Sequence, residues 1–416
     1  MILPQIIQTI SNDLDLVGAR FIVVGGSVRD YYLNLPSKDY DLEVYGIASL
    51  EKLEPILSRY GSVNLVGKSF GVLKFTYKEQ EYDFSFPRRE SKIGVGHKGF
   101  TIEIDNRMNF KEASLRRDFT INAMGYDLKD SLFLDPYKGL EDIKNKKLQH
   151  INDITFIEDP LRVYRAVQFC ARFEFTLATD TFLLCKKMVE NNSLESLPKE
   201  RVYMELSKLL LKAQKPSLGF YLMQKLGIFK YFPELISIDF KILDYKNFNL
   251  IFMFVLLLEK SGVEKSKSFL YKISDEHQFI KKVTLLVEYF KIPSIFLKKR
   301  VTDAEIRRLA TKVNITDLVT VSSTYDSLAS QWLLERATIL KVAKKPLDRL
   351  IQGRDLIALG LKPSSKFKKI LDDMYELQIE GTICSFEESM KFLNSSQILT
   401  YSQTQQQSQP IKMEDI

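Results

Sequence analysis

In the stretch KDYDLEV, residues 38–44, two aspartates, Asp39 and Asp41, stand one residue apart at the start of an otherwise apolar run. An extended chain points alternate side chains to the same face, so the two carboxylates project side by side. Their repulsion costs free energy unless a cation lies between them. Such a pair is what two divalent ions need for phosphoryl or nucleotidyl transfer, where one activates the attacking oxygen and the other stabilises the leaving one. Asp83, in EYDFSF, alternates with apolar neighbours in another run and is the candidate third catalytic carboxylate, although a solvent-facing edge aspartate would read the same way.

A possible phosphate cradle precedes the pair. The run FIVV leads into Gly25 and Gly26, and SVRDYYLNL then opens a helix with Ser27 near its start. Two glycines at a strand-to-helix turn let backbone N–H groups approach a phosphate closely, and an ordinary tight turn has the same sequence. The helix is long enough to return the chain to a strand beside the first, which would bring the glycines and aspartates together. Further on, RRDFTINAM runs from Arg116, Arg117 and Asp118 into a helix-like segment carrying Asn122. Arginine there can meet phosphate and aspartate can accept from ribose hydroxyls, or the charges form a surface ion pair.

In IEDPLRVYRAVQFCARF, Glu158 and Asp159 precede Pro160. That order suits the first turn of a helix capped by Asp159, with Arg162 on the same face as both acids. Asp159 accepting from an exocyclic amine while Arg162 donates to the adjacent ring nitrogen would select cytosine and adenine, since uracil and guanine present the opposite edge. An intrahelical ion pair is the plainer alternative. SVNLVGKS, residues 62–69, imitates a phosphate-binding loop, but Ser62 stands where the first glycine belongs and the middle is β-branched, so it reads as strand.

These residues need a scaffold. Up to about Pro136, FIVVGG, YDLEVYG, GSVNLVGKSFGVLKFTY and EYDFSF alternate short β-branched runs with turn signals, which predicts a mixed α/β domain. Beyond it, segments such as KERVYMELSKLLLKA and PSLGFYLMQKLGIFKYF repeat apolar residues at three- and four-residue spacing and predict helices. LIFMFVLLL, Leu250 to Leu258, is the longest apolar run; it falls far short of the ~20 residues of a membrane helix and reads as buried. The Gln-rich end, YSQTQQQSQPIKMEDI, reads as disordered, and no internal repeat stands out.

With 416 residues, 45% apolar and 27% charged, the chain has the composition of a multidomain globular protein. Sixty Lys and Arg against 53 Asp and Glu give +7, compatible with a polyanionic partner. Cys170, Cys185 and Cys384 follow no ligand or disulfide spacing and read as buried free thiols, which fits a reducing cytoplasm. The N-terminus lacks a basic region and soon meets Asp13 and Asp15, unlike a secretory signal.

Taken in order, GGSVRD, KDYDLEV, VGKSFGVLKF, RRESKIGVGHKGF, RRDFTINAM, DPYKGLEDI, EDPLRVYRAVQFCARF and ERVYMELSKLL, with GRDLIALGLKPSSKFKKILDDMYELQIEG near the C-terminus, resemble the class II tRNA nucleotidyltransferases and bacterial poly(A) polymerases, the family that includes the CCA-adding enzymes. The resemblance is dense over residues 20–210, thin over 235–345, and returns at 351–381. It implies an α+β fold, with a polymerase-β-like head at 1–137 followed by an all-α neck at 138–210, body at 211–320 and tRNA-binding tail at 321–400, ahead of a disordered 401–416. It assigns Asp39 and Asp41 to catalytic magnesium, Gly25 and Gly26 to the triphosphate, Arg117 and Asp118 to the ribose, and Glu158, Asp159 and Arg162 to the incoming base. Arg29, Asn122 and Arg165, in the same motifs, join them as candidate nucleotide-binding residues. Arg88 to Phe100, with Gly94, Gly96 and Gly99, resembles the flexible loop that full CCA enzymes use in moving from C to A.

The implied activity is magnesium-dependent, template-independent addition of C, C and A to tRNA 3′ ends from CTP and ATP, in the cytoplasm, with no membrane and no obligate protein partner. His97, His150 and His277 lack paired metal-ligand spacing, so no His-Asp phosphohydrolase module is expected. Ser69, where poly(A) polymerases tend to carry a basic residue, and the lack of a long basic C-terminal extension favour tRNA over general RNA. A poly(A) polymerase, a CC- or A-adding specialist and a noncatalytic RNA-binding protein are the alternatives, and intact Asp39 and Asp41 speak against the last.

Overall fold

The computed structural model describes the chain except for residues 2, 38, 48, 68–71, 93–99, 106, 237, 246–247, 364 and 396–416. The chain forms two compact units, Met1–Ile280 and Lys281–Ile416.

Helix α1 (Gln5–Leu16) opens the first unit, followed by β1 (Arg20–Val24), α2 (Gly26–Tyr32), β2 (Tyr40–Tyr45) and α3 (Leu50–Leu57). Next come β3 (Ser62–Gly67), β4 (Val72–Tyr77), β5 (Gln80–Ser85), a hairpin of β6 (Arg88–Lys92) and β7 (Phe100–Ile104), helix α4 (Phe110–Ser114), β8 (Gly125–Asp127) and β9 (Leu132–Leu134). Seven strands make one sheet in the order β3-β4-β5-β2-β1-β8-β9. Only β2 and β5 pair in parallel; the other neighbours are antiparallel.

Period-two alternation separates the faces. Phe21, Val23, Leu42, Val44, Leu73, Phe75, Tyr82 and Phe84 are all buried on one side, where Phe21 and Phe75 each meet the Phe84 ring edge-on at 6.1 Å. Helices α1 and α3 pack against these strands, burying Ile6, Ile7, Ile10 and Leu14 from α1 at helical spacing and Leu53, Ile56 and Leu57 from α3. Each fully buried Phe contributes about 1.5–3 kcal/mol. The other face carries the polar side chains of Lys74, Asp83, Asp41 and Glu43. SVNLVG is strand β3, as its β-branched middle predicts.

The unit continues through α5 (Gly139–Lys144), β10 (Lys147–Leu148), α6 (Asp153–Glu158), α7 (Leu161–Phe173), β11 (Thr176–Leu177) and α8 (Thr179–Glu190) to α9 (Lys199–Lys212), α10 (Pro216–Leu226), α11 (Leu250–Leu258) and α12 (Val263–Ile273). Helix α7 packs on both α9 and α10. Helix α11 is LIFMFVLLL itself, buried from Phe252 to Leu258. Among the described residues no helix is long and apolar enough to cross a membrane.

The boundary between units falls within α13 (His277–Tyr289), and α14 (Ile292–Lys299), α15 (Asp303–Ala310), α16 (Ile315–Ser322), α17 (Ser327–Ile339), α18 (Gly353–Ala358), α19 (Ser365–Glu380) and α20 (Phe386–Ser395) follow. The mixed sheet and the helical remainder together are the α+β architecture expected from the sequence. One expectation fails. Cys170 and Cys185 are buried, but Cys384 is exposed, because it sits in the turn after α19, where its thiol donates to the Gly381 carbonyl.

Candidate active site

Antiparallel pairing of β1 with β2 sets Val24 opposite Asp41. Helix α2 thus returns the chain so that the glycine turn meets the aspartates. Gly25 has φ +74°, and a Cβ on it would lie 3.0 Å from Arg117 Nη1 and 3.4 Å from Asp41 Oδ2; both the left-handed backbone and the crowding require glycine. Parallel pairing of β2 with β5 puts Asp83 beside Asp41, and Lys74 Nζ approaches the Asp83 Oδ1 at 3.5 Å. Asp39 lies just ahead of β2, exposed, with its carbonyl accepting from Ser37 Oγ.

Asp41 opens onto a cavity yet is surrounded closely enough that desolvation raises its pKa; Arg117 opposes this, while Asp83, Asp39 and Glu43 add to it. The buried Asp83 Oδ1 has no hydrogen-bond partner. Among the described residues no group of three His, Cys, Asp or Glu side chains forms a preassembled metal cage. The crowding of Asp41 by Asp83, Asp39 and Glu43 nevertheless fits a divalent cation, which would favour the ionised forms.

Two arginines lie over the same sheet face. Arg116 Nη2 is 3.3 Å from Glu43 Oε1 and Arg117 Nη2 is 3.6 Å from Glu43 Oε2. The RRDFTINAM segment forms only a short 3-10 turn, Thr120–Asn122. It also carries a chain of polar bonds. Arg29 Nη1 donates to Asn122 Oδ1 at 2.6 Å, Asn122 Nδ2 donates to Asp118 Oδ1 at 2.9 Å, and Arg165 Nε donates to Asp118 Oδ2 at 2.7 Å. Burial pushes the Asp118 pKa up, but Arg165, the Asn122 bond and Arg162 outweigh it and hold the carboxyl below its usual range. Arg29 is buried, its Nε and Nη2 donate to Asp30 Oδ1, and its guanidinium lies over the rings of Phe169 and Phe173.

The segment from Glu158 to Arg162 departs from its expected local form. Glu158, Asp159 and Arg162 do not share one helical face: α6 ends at Glu158, Asp159 is extended at φ −118° and ψ 96°, and α7 begins after Pro160. Proline disfavours helical backbone in the residue before it, so α7 starts afresh after Asp159, as the cap reading expects, while Glu158 stays on α6 and off the Arg162 face. Asp159 Oδ1 accepts from the Leu161 N–H at 3.2 Å, and the carboxylate pairs with Arg201 of α9, 3.1 Å from Nη2. Arg162 donates to the carbonyls of Thr155 and Arg117, at 2.9 and 3.5 Å, and to that of Arg116. The expected intrahelical partner of Asp159 is thus replaced by an arginine forty-two residues on.

A cavity of about 770 Å³ joins these parts. Gly25, Gly26, Arg29, Asp39, Asp41, Arg117, Asp118, Asn122, Asp159, Arg162 and Arg165 all line it, whereas Asp83 and Glu158 do not. Arg172, Arg201, Lys208 and Lys212 line it too and were not singled out by sequence reasoning. Nor was Glu43, although it continues the alternation of Asp39 and Asp41. Lys38, Ser69 and the glycines of the candidate flexible loop, Gly94, Gly96 and Gly99, lie outside the described residues.

Residues 21–149 match the family described as the poly A polymerase head domain, and residues 174–238 match a probable RNA and SrmB-binding site of polymerase A. A CCA-adding enzyme of Buchnera aphidicola subsp. Baizongia pistaciae is 42% identical over 189 residues, covering 45% of this chain and 43% of that protein. A multifunctional CCA protein of Mannheimia succiniciproducens is 37% identical over 220 residues, covering 52% of this chain and 50% of that protein. The chain spans about half the length of these curated relatives. The crystal structure of a Bacillus stearothermophilus CCA-adding enzyme in complex with CTP shares the fold, with a TM-score of 0.73 at 21% identity over 97% of this chain and 99% of that one. Over residues 21–149 and 174–238, then, the chain is similar to the poly A polymerase head and its RNA-binding segment, and over about half its length to CCA-adding enzymes.

Proposed function

We propose that this protein is a cytoplasmic RNA nucleotidyltransferase that adds C, C and A to tRNA 3′ ends from CTP and ATP without a nucleic-acid template. One observation carries the reading. A single cavity has Asp41 and the Gly25 turn, which suit triphosphate chemistry, together with Asp159 and Arg162, which suit the edge shared by cytosine and adenine. The CCA-adding names of the relatives support it.

Asp39 and Asp41, with Asp83 alongside, would hold magnesium. When bound, the metal would activate the terminal 3′ oxygen and stabilise the departing pyrophosphate. The residues of the chain do the rest. Gly25 and Gly26 let the triphosphate approach the backbone, and Arg117 and Asp118 meet phosphate and ribose. Asp159, oriented by Arg201, accepts from the base amine, and Arg162 donates to the neighbouring ring nitrogen. Arg29 and Asn122 act through the polar chain that keeps Asp118 and Arg165 in place. We also propose the functional division into head, neck, body and tail at residues 137, 210 and 320.

The test offers tRNA lacking CCA, tRNA ending in CC, and an unstructured RNA, each with single nucleotides and mixtures. Addition that stops at CCA on tRNA is expected. Long A tails on unstructured RNA would make the protein a poly(A) polymerase, the reading that the head-domain match also allows, and no incorporation at all would overturn both.

A further inference from the structure

Glu43 lies two residues beyond Asp41 on β2 and is 0% exposed. Register fixes it in the interior of the sheet, opposite Ile22 on β1 and Ser85 on β5. A carboxylate at that depth is costly unless paired, and an apolar side chain would suit a central strand better. It is met instead by Arg116 and Arg117, at 3.3 and 3.6 Å.

Arg117 has two neighbourhoods. Its Nη2 faces Glu43, while its Nη1 donates to the Asn122 carbonyl at 3.5 Å and lies close enough to Gly25 that a Cβ there would be 3.0 Å away. Asp41 is a further carboxylate within electrostatic reach. The same two arginines are held from the opposite side, because Arg162 donates to both of their carbonyls. Glu43 therefore grips the side chains of the Arg116–Arg117 segment, and Arg162 grips its backbone.

We propose that Glu43 is a positioning residue for nucleotide binding: it holds one arm of Arg117 against the sheet, so that the other faces the glycine turn and the guanidinium does not swing onto Asp41. Without it, Arg117 would find its nearest counter-charge in Asp41 and occupy space the triphosphate needs. The inference rests on the proposed contact between Arg117 and the nucleotide. Glu43 itself touches no substrate.

The test measures CTP binding by calorimetry without tRNA, alongside steady-state KM values for CTP and for tRNA. Glu43→Gln keeps the shape and an acceptor, and Glu43→Ala removes both. Losing the buried ion pair should weaken CTP binding about tenfold in the glutamine variant and more in the alanine variant. The KM for tRNA should stay unchanged. In an Arg117→Ala background, Glu43→Gln should add nothing, since the effect passes through that arginine. A purely structural role would lower the folded fraction and kcat with the CTP affinity of the folded protein intact, and that result overturns the proposal. So does an equal loss in the Arg117→Ala background, or failure of both Glu43 variants to fold. A wild-type protein that binds CTP but never extends tRNA would overturn the proposed function and leave this inference standing.

Discussion

Asp41 is crowded by like charge. Packed beside Asp83 with Asp39 nearby, it is in a setting that a bound cation would relieve. Replacing Asp41 or Asp39 with alanine should lower nucleotide incorporation about a thousandfold, the several kcal/mol that metal stabilisation of the transition state supplies. Affinity for tRNA should change by less than about twofold, because phosphate contacts elsewhere carry it. Single-nucleotide extension at near wild-type rate would remove the residue from catalysis. Asp118 behaves in the opposite sense. The fold favours its ionised form, so its stabilisation is fully present above the unfolded pKa of about 3.9 and is lost as pH falls through the depressed folded value. The stability gap between wild type and Asp118→Asn, about 1.5–3 kcal/mol at neutral pH for bonds to a charged group, should close in acid when measured by urea unfolding from pH 6 to 2.5. A gap that stays constant would mean that charge is not what Asp118 contributes.

Between elements, the decisive feature is the break at Pro160. Because α6 stops and α7 restarts, Asp159 lies at the junction, bonded to the first N–H of α7 and steered by Arg201 of α9. If Asp159 reads the base, UTP and GTP leave buried polar groups unpaired at a cost of about 1–3 kcal/mol each. Asp159→Ala should then relax selection against UTP by about tenfold or more while lowering use of CTP and ATP. Folded mutant enzyme offered each of the four nucleotides decides this, and unchanged selectivity would leave Asp159 with only a helix-joining role. The sequence made the strands and their polar face legible, since alternation is local: β2 and β5 set Asp41 beside Asp83 as that pattern predicts, and β3 was legible in its β-branched middle. Period alone did not reveal Arg201 or the pairing of Glu43 with Arg116 and Arg117, because each joins residues far apart in the chain. The helix start at Pro160 was legible, but the shared face of Glu158, Asp159 and Arg162 failed for a local reason, the restriction that proline places on its predecessor.

For the molecule as a whole, the net charge of +7 acquires a place only through surfaces. Lys298, Lys299 and Arg300 are exposed at the end of α14 in the second unit, and their reversal to glutamate should weaken tRNA binding. If each neutralises one phosphate, the slope of log affinity against log salt should become shallower by about 2 to 3; unchanged affinity and slope would take this segment out of the interface. Within the first unit, the hydrogen bonds from Arg29 through Asn122 to Asp118 have a direction. Asn122 must accept on one side and donate on the other, and at its size only an amide does both. The arrangement therefore does not tolerate deamidation. Hydrolysis of the Asn122 amide, taking up water and releasing ammonia, would leave a second carboxylate facing Asp118, with no proton to offer and a repulsion to bear. Asn122→Asp, which reproduces that lesion in one substitution, should cost about 3 kcal/mol or more, and old protein stocks should lose nucleotide affinity in step with the one-dalton mass gain at this residue.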